Sequence, residues 1–311
     1  MSKLDESEII KIFQKKLGNK NFEDVEIFKL NKANIIAKTD TLVQSTDIPP
    51  KMKLDDAARK SVVACVSDFA AKGVKPRYGI ISVNFPSGIS RSKVEEAASG
   101  FRKACSEFGI SILGGDTNAG KEIVFNVCLF GSDDGIVPRK GSKNKDLIFA
   151  TGPFGYTGAG LSILLHKKKG KRDFVAKAVQ SVIHPKPRVD FGVKNKRYFT
   201  SSMDSSDGLS TTLNEMAKQS KKKFVITNSP HKKDLKEFAK SNQDKLVFHG
   251  GEEYEFVFTI NPKYKKTILK NAKLLRTPII EIGYVTTGKG VILQRDNKKV
   301  SLKDKGWKHF R

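Results

Sequence analysis

The carboxylates that sit in apolar or Ser/Gly-rich surroundings are the residues of this chain best placed to do chemistry. The chain carries 58 Lys and Arg against 33 Asp and Glu, so an acid in such a setting needs a reason. Asp68 lies in the run Val62-Val63-Ala64-Cys65-Val66-Ser67-Asp68-Phe69-Ala70-Ala71, apolar nearly all round. An i,i+4 pair with Lys72 is its plainer reading; desolvated and unpaired it would be costly, and a metal ion would relieve it. Met203-Asp204-Ser205-Ser206-Asp207-Gly208-Leu209 gathers two acids and two hydroxyls ahead of a helix. Ser206 or Asp207 can be its N-cap, or the group can serve phosphate with Mg²⁺. In Leu113-Gly114-Gly115-Asp116-Thr117 the glycines let backbone N–H groups close on a phosphate, and Asp116 would repel it unless a divalent cation lay between. The same residues also make an ordinary turn. Asp40 follows a strand that begins at Ile35, where it is either a ligand or a turn acid. In Gly250-Gly251-Glu252-Glu253-Tyr254-Glu255, alternation sets Glu253 and Glu255 on one solvated face and Glu252 toward a loop.

The elements that must position these groups alternate between strand and helix. A weak helical period covers 2–17, and short strands are predicted at 26–30, 35–38 and 42–43. Asp55 can cap a buried helix over 56–72, closed by Gly73 with Pro76 beyond. A strand over 78–85, a helix over 93–108 capped by Ser90, and strands over 110–113 and 123–130 complete an α/β-type unit. The Gly-, Asp-, Lys- and Pro-rich stretch 131–145 reads as a linker. A strand at 147–150 and helices over 159–166, 174–183 and 209–218 follow, with a strand over 256–260.

A chain of 311 residues with 38% hydrophobic and 9% aromatic content is globular and long enough for two domains. Cys65, Cys105 and Cys128 show no metal or redox spacing and read as reduced thiols of a cytoplasmic protein. No apolar run approaches the ~20 residues of a membrane span, and residues 1–20 lack the core of a signal peptide. The net charge of +25 invites a nucleic-acid partner, but the lysines cluster at 167–172 and 221–223 without interleaved aromatics, as on solvated loops, and nucleic acid is not expected as a partner. There is no phosphate loop of the Gly-x-x-x-x-Gly-Lys-Ser/Thr type. Gly158-Ala159-Gly160 fails the dinucleotide fingerprint because Ile163 stands where the third glycine belongs. The five histidines lack ligand spacing, and His184 and His309 read as structural.

In this order the motifs resemble those of the thiamine-monophosphate kinase family, within the superfamily of aminoimidazole ribonucleotide synthetase and selenophosphate synthetase. Val66-Ser67-Asp68-Phe69-Ala70-Ala71-Lys72-Gly73-Val74-Lys75-Pro76 is similar to the family's Ser-Asp-Leu-Ala-Ala-Met-Gly-Ala-x-Pro. Gly114 to Thr117, Met203 to Leu209, 250–258 and the terminal Gly306-Trp307-Lys308-His309-Phe310 resemble its other signatures. The resemblance implies an α+β, α/β-type two-domain fold: an N-terminal mixed sheet with helices over 1–140 that pairs in a homodimer, then a C-terminal α/β domain over 141–311. It implies several Mg²⁺ ions on Asp24, Thr39, Asp40, Asp68, Asp116, Asp204 and Asp207, and ATP contacts at Gly115, Asp116, Arg139 and Ser206. Asp68, Asp116, Arg139 and Asp207 are the residues expected at the reacting phosphates. Thiamine monophosphate is the implied acceptor, met by Glu252 and Trp307. Two departures stand out: the family's Gly-Asp-Asp is Phe22-Glu23-Asp24 here, and Asp47 occupies the place of a substrate-contacting His, in a stretch that resembles archaeal members. A sister enzyme with another acceptor, a relative that binds ATP without transferring phosphate, and a basic nucleic-acid-binding protein are the alternatives.

Overall fold

The computed structural model describes residues 4–18, 23–296 and 298–308; Phe22, His309 and Phe310 lie outside them. Two mixed sheets carry the fold. The first contains β1 (Glu26–Leu30), β2 (Ala33–Val43), β3 (Pro76–Pro86), β4 (Ser111–Gly120) and β5 (Val124–Ser132), ordered β1-β2-β5-β3-β4. Its strands pair antiparallel except β3 with β4, which run parallel. The helices of this half are α1 (Glu6–Leu17), α2 (Gln44–Asp47), α3 (Leu54–Lys72) and α4 (Arg91–Phe108). A parallel pair needs a crossover, and α4 is that crossover.

The second sheet holds β6 (Leu147–Thr151), β7 (Phe199–Asp204), β8 (Lys223–Ile226), β9 (Phe256–Ile260), β10 (Ile279–Thr286), β11 (Gly290–Arg295) and β12 (Lys298–Ser301), ordered β12-β11-β8-β10-β6-β9-β7. Its helices are α5 (Tyr156–His166), α6 (Arg172–Ile183), α7 (Val189–Asn195), α8 (Leu209–Ser220), α9 (Lys233–Ala239), α10 (Gln243–His249) and α11 (Lys265–Leu274). This is the α+β architecture expected.

Several local expectations need correction. The segments 35–38 and 42–43 are one strand, because Thr39, Asp40 and Thr41 stay in register with Cys128, Val127 and Asn126 of β5. Asp40 is therefore inside β2 rather than beyond a strand end. Gly114 and Gly115 lie within β4, not in a turn: a Cβ on Gly115 would stand 1.8 Å from the Ile81 carbonyl oxygen, so the glycine permits the close β3–β4 approach. Helix α3 begins at Leu54 with Lys53 as N-cap, ahead of Asp55, while Gly73 closes it with φ +69°. Ser90 caps α4 as read, its hydroxyl accepting from the Lys93 amide.

Helix α3 is buried along almost its whole length because it is covered on both sides. Val62, Val66 and Phe69 pack with Val127 and Leu129 of the first sheet and with Phe256 and Phe258 of the second, in one continuous core. A separate core joins the second sheet to α5 and α8 through Ala159, Leu213, Met216 and Val257. Among the described residues no helix is long and apolar enough to cross a membrane. The three cysteines are unpaired.

Glu253 and Glu255 do not form a solvated edge. Glu255 is clamped by Arg188, whose Nε donates to Oε2 at 2.9 Å. Glu253 is buried and accepts from the Gly155 amide and, at 3.0 Å, from the Thr157 hydroxyl, which tethers its loop to the start of α5. Burial pushes the Glu253 carboxyl up to about 8, against the pull of those two donors. A carboxyl that keeps its proton in the fold and loses it above its ordinary value of 4.5 when unfolded makes stability fall as pH rises from that value through about 8. Glu253→Gln removes the titration. Its melting temperature relative to the parent should therefore rise by at least about 2 °C between pH 5 and pH 8. Parallel melting profiles across that range would show that Glu253 is ionised in the fold.

Candidate active site

The site grows from three segments that meet over α3. Asp24 precedes β1, Lys38 and Asp40 share one face of β2, and Asp204 ends β7. Asp68 reaches them from α3. Asp24, Asp68 and Asp204 are each about 95% buried, and each has a carboxylate oxygen within 4.8 Å of the others'. Sequence reading paired Asp68 with Lys72; the structure instead places Lys38 Nζ 2.9 Å from Asp68 and 3.5 Å from Asp40. Lys72, fully buried, sits 2.8 Å from both Asp24 and Glu23 and donates to the Ser202 carbonyl. Arg139 joins the same group, its Nε donating to Asp24 at 2.6 Å and its backbone amide to Glu23.

These neighbours split the acids electrostatically. Burial would raise Asp24, but the Lys72 ammonium and the Arg139 guanidinium outweigh it and hold Asp24 low. Asp68 is pushed well above the ordinary carboxylate range by burial, with Asp204, Asp40 and Asp24 adding to the push and Lys38 opposing it. Burial and then Asp24 raise Asp204. Two buried acids that stay raised in spite of Lys38 are what a divalent cation relieves, and an all-oxygen donor set suits Mg²⁺. The residues fit the metal that the resemblance implies.

Asp40, Asp68 and Asp204 line a cavity of about 850 Å³ together with Lys38, Asp47, Ile48, Pro49, Pro50, Lys60, Leu161, Leu165, Arg139, Ser206, Asp207, Glu252, Tyr254 and Trp307; Asp24 adjoins it through Arg139 without lining it. Its volume and mixed polar and apolar lining are those of a small-molecule site. Ser206 and Asp207 lead into α8, whose N-cap is Gly208 at φ +108° rather than either of them. Both line the cavity. Trp307 is held there by its backbone amide, which donates to the Asp207 carbonyl at 2.9 Å. Gly306 permits this approach, since a Cβ on it would lie 2.3 Å from that carbonyl oxygen. Glu252 is fixed by a 2.6 Å bond from its amide to the Ser206 carbonyl and by a 2.5 Å ion pair with the buried Lys60. Its Oε2 is buried without a hydrogen-bond partner among the described residues. Asp47 Oδ2 accepts from the Val43 amide at 2.7 Å, and its carbonyl accepts from Lys60.

Three expected residues are not brought to this cavity within one chain. The Thr39 side chain is exposed on the face of β2 opposite Lys38 and Asp40. Gly115 and Asp116 stand on edge strand β4, exposed. Row by row, Thr41 pairs with Asn126, Asn126 with Ser82 and Ser82 with Asp116. Three strand spacings therefore separate Asp116 from β2, about 14 Å. Conversely, Lys38, Lys60 and Tyr254 were missed. Lys60, Ala64, Asp68 and Lys72 repeat every four residues along one stripe of α3, a periodicity that would have marked Lys60.

Residues 22–132 match the family model described as AIR synthase related protein, N-terminal domain. The chain is 90% identical, over the full length of both, to a protein of Nitrosopumilus maritimus (strain SCM1) named thiamine-monophosphate kinase. It is 32% identical to one of the same name from Pyrococcus horikoshii, covering 100% of this chain and 98% of the relative. A solved structure described as AaThiL complexed with AMPPCP and TMP superimposes with a TM-score of 0.87 at 29% identity, over 100% of this chain and 98% of that one. Full-length identity at this level, on a fold that also superimposes end to end, means that the chain belongs to the thiamine-monophosphate kinase family.

Proposed function

We propose that the chain transfers the γ-phosphoryl group of ATP to the phosphate of thiamine monophosphate, giving thiamine diphosphate and ADP by direct in-line displacement. The observation that carries this reading is one cavity holding a buried acid cluster, a helix N-terminus, and an apolar and aromatic wall. The relatives' names and the AMPPCP and TMP complex of the superimposed structure support the two substrates. A phosphate nucleophile with a second pKa near ~6 is already largely ionised at neutral pH, so no catalytic base is needed.

Repulsion between the two substrates is the obstacle: each pair of unit charges ~4 Å apart costs about 4 kcal/mol at an effective dielectric of 20. Mg²⁺ ions on Asp24, Asp40, Asp68, Asp204 and Asp207 would, when bound, neutralise phosphate charge and hold the reacting groups in line. Ser206 offers its hydroxyl, and the N-terminal end of α8 its dipole, to phosphate oxygens. Arg139 keeps Asp24 ionised and adds positive charge to the same wall. Trp307 supplies a face for the cationic thiazolium, and the unpartnered Glu252 Oε2 an acceptor for an amino group of the substrate. Asp47 stands beside Pro49 and Pro50 as a further substrate contact. The roles that the resemblance implies for Gly115 and Asp116 require a second copy at the β4 edge. That edge shows a row of exposed residues including Ile112 and Leu113, as a pairing edge does. We assign 1–140 to the nucleotide and dimerisation domain and 141–311 to the domain that completes the site. The free thiols suit the reducing cytoplasm.

Incubation with ATP, Mg²⁺ and thiamine monophosphate should yield thiamine diphosphate and ADP in equal amounts; no product across a range of Mg²⁺ sinks the assignment. Asp68→Asn should lower turnover about 10²- to 10³-fold while the far-ultraviolet circular dichroism stays native. Equal loss of activity and fold would make Asp68 structural. Solution scattering should return the mass of a dimer, and Leu113→Lys should shift it toward the monomer. A monomeric parent protein would refute pairing through β4.

A further inference from the structure

Among the described residues three cations face the acid cluster, and they are held differently. Lys72 is locked among Asp24, Glu23 and the Ser202 carbonyl with no exposed surface. Arg139 is pinned through Nε and through its backbone amide. Lys38 has its ion pairs, among the described residues, with Asp68 and Asp40, the two acids of α3 and β2 that line the cavity. Its side chain keeps 24% of its surface exposed, on a flexible four-carbon stem.

A divalent ion ligated by Asp68 and Asp40 needs the oxygens that the Lys38 ammonium now holds, and two cations cannot share them without strong repulsion. We propose that Lys38 is the resident counter-ion of this site: it neutralises Asp68 and Asp40 in the metal-free protein, is displaced when Mg²⁺ binds, and moves to phosphate oxygens in the cavity. This rests on the metal reading above. It gives Lys38 two tasks in sequence. Before metal binds, it keeps the buried Asp68 carboxylate from standing bare on α3. Afterwards, it places a positive charge, tethered to rigid β2, beside the reacting phosphates.

The test is Mg²⁺ binding measured by calorimetry without nucleotide. Lys38→Met, which removes the competitor, should bind at least about tenfold more tightly than the parent, and Lys38→Arg should not. An independent readout uses the parent protein alone: acylation of Lys38 by an amine-reactive reagent, followed by mass spectrometry, should accelerate on adding Mg²⁺. That readout decides the matter even where Lys38→Met fails to fold. Affinity in Lys38→Met equal to or below the parent's, or labelling that Mg²⁺ leaves unchanged, overturns the counter-ion role. If the parent binds no Mg²⁺ at millimolar concentration, the metal reading itself fails and this inference with it. Binding by the parent with unchanged affinity in the variant removes only the inference.

Discussion

The structure depends on burying a charged stripe inside an apolar helix. Helix α3 is covered by both sheets, yet it carries Lys60, Asp68 and Lys72 along the side that faces the cavity and the acids. An unpaired charge at such depth costs several kcal/mol, so each must be met by a partner from another segment. Glu252 and the Asp47 carbonyl meet Lys60, Lys38 meets Asp68, and Asp24 with Glu23 meets Lys72. Those partners come from both halves of the chain. Charge neutrality along one helix therefore fixes how the residues of the two sheets converge, and it assembles the site in the same step.

The same constraint explains what could be read in the sequence. Elements marked by local chemistry were legible: Ser90 as the cap of α4, Gly73 as the end of α3, and the alternating strands around them. So were two of the three acids of the cluster, because Asp68 and Asp204 stand out in apolar or Ser/Gly-rich surroundings, whereas Asp24 came only from the family resemblance. What was not legible is which cation meets which acid, since that depends on contacts between residues far apart in the chain. Lys72, four residues from Asp68, looks like its partner, but the helix turns Lys72 toward Asp24 and leaves Asp68 to β2. Glu253 and Glu255 misled for a related reason. Alternation says which residues share a face but not whether α5 and Arg188 cover it.

Glycine was ambiguous in the same way. Gly-Gly-Asp reads as a turn or a phosphate cradle, and in the single chain Gly115 has a third purpose, letting β3 and β4 approach where a Cβ would meet the Ile81 carbonyl. At the other end of the chain the logic is similar, with a different result. Gly306 lets the last described segment close on the Asp207 carbonyl, and this contact places Trp307 in the cavity wall. A short terminal motif acts at a distance of about a hundred residues in sequence because one missing side chain lets two backbones touch.

The unequal treatment of the acids follows from the reaction. A phosphate nucleophile supplies its own charge, so the site has no use for a poised histidine; it needs a place where negative charge can accumulate and be neutralised in turn. Asp24 is held low, against its burial, by the Lys72 ammonium and the Arg139 guanidinium. Asp68 and Asp204 are raised by burial and by the neighbouring acids, with Lys38 opposing the shift in both. A site built wholly like Asp24 would be stable and inert, with no free energy to gain from a metal ion or a charged substrate. A site built wholly like Asp68 would add to the cost of burying charge along α3. The arrangement of one locked acid beside two under-compensated ones lets the protein fold without ligand and still gain from binding one. The exposed lysines after α5, at positions 167–169 and adjoining Leu165 of the cavity wall, add charge of the sign that attracts anionic substrates and lie apart from the buried oxygens.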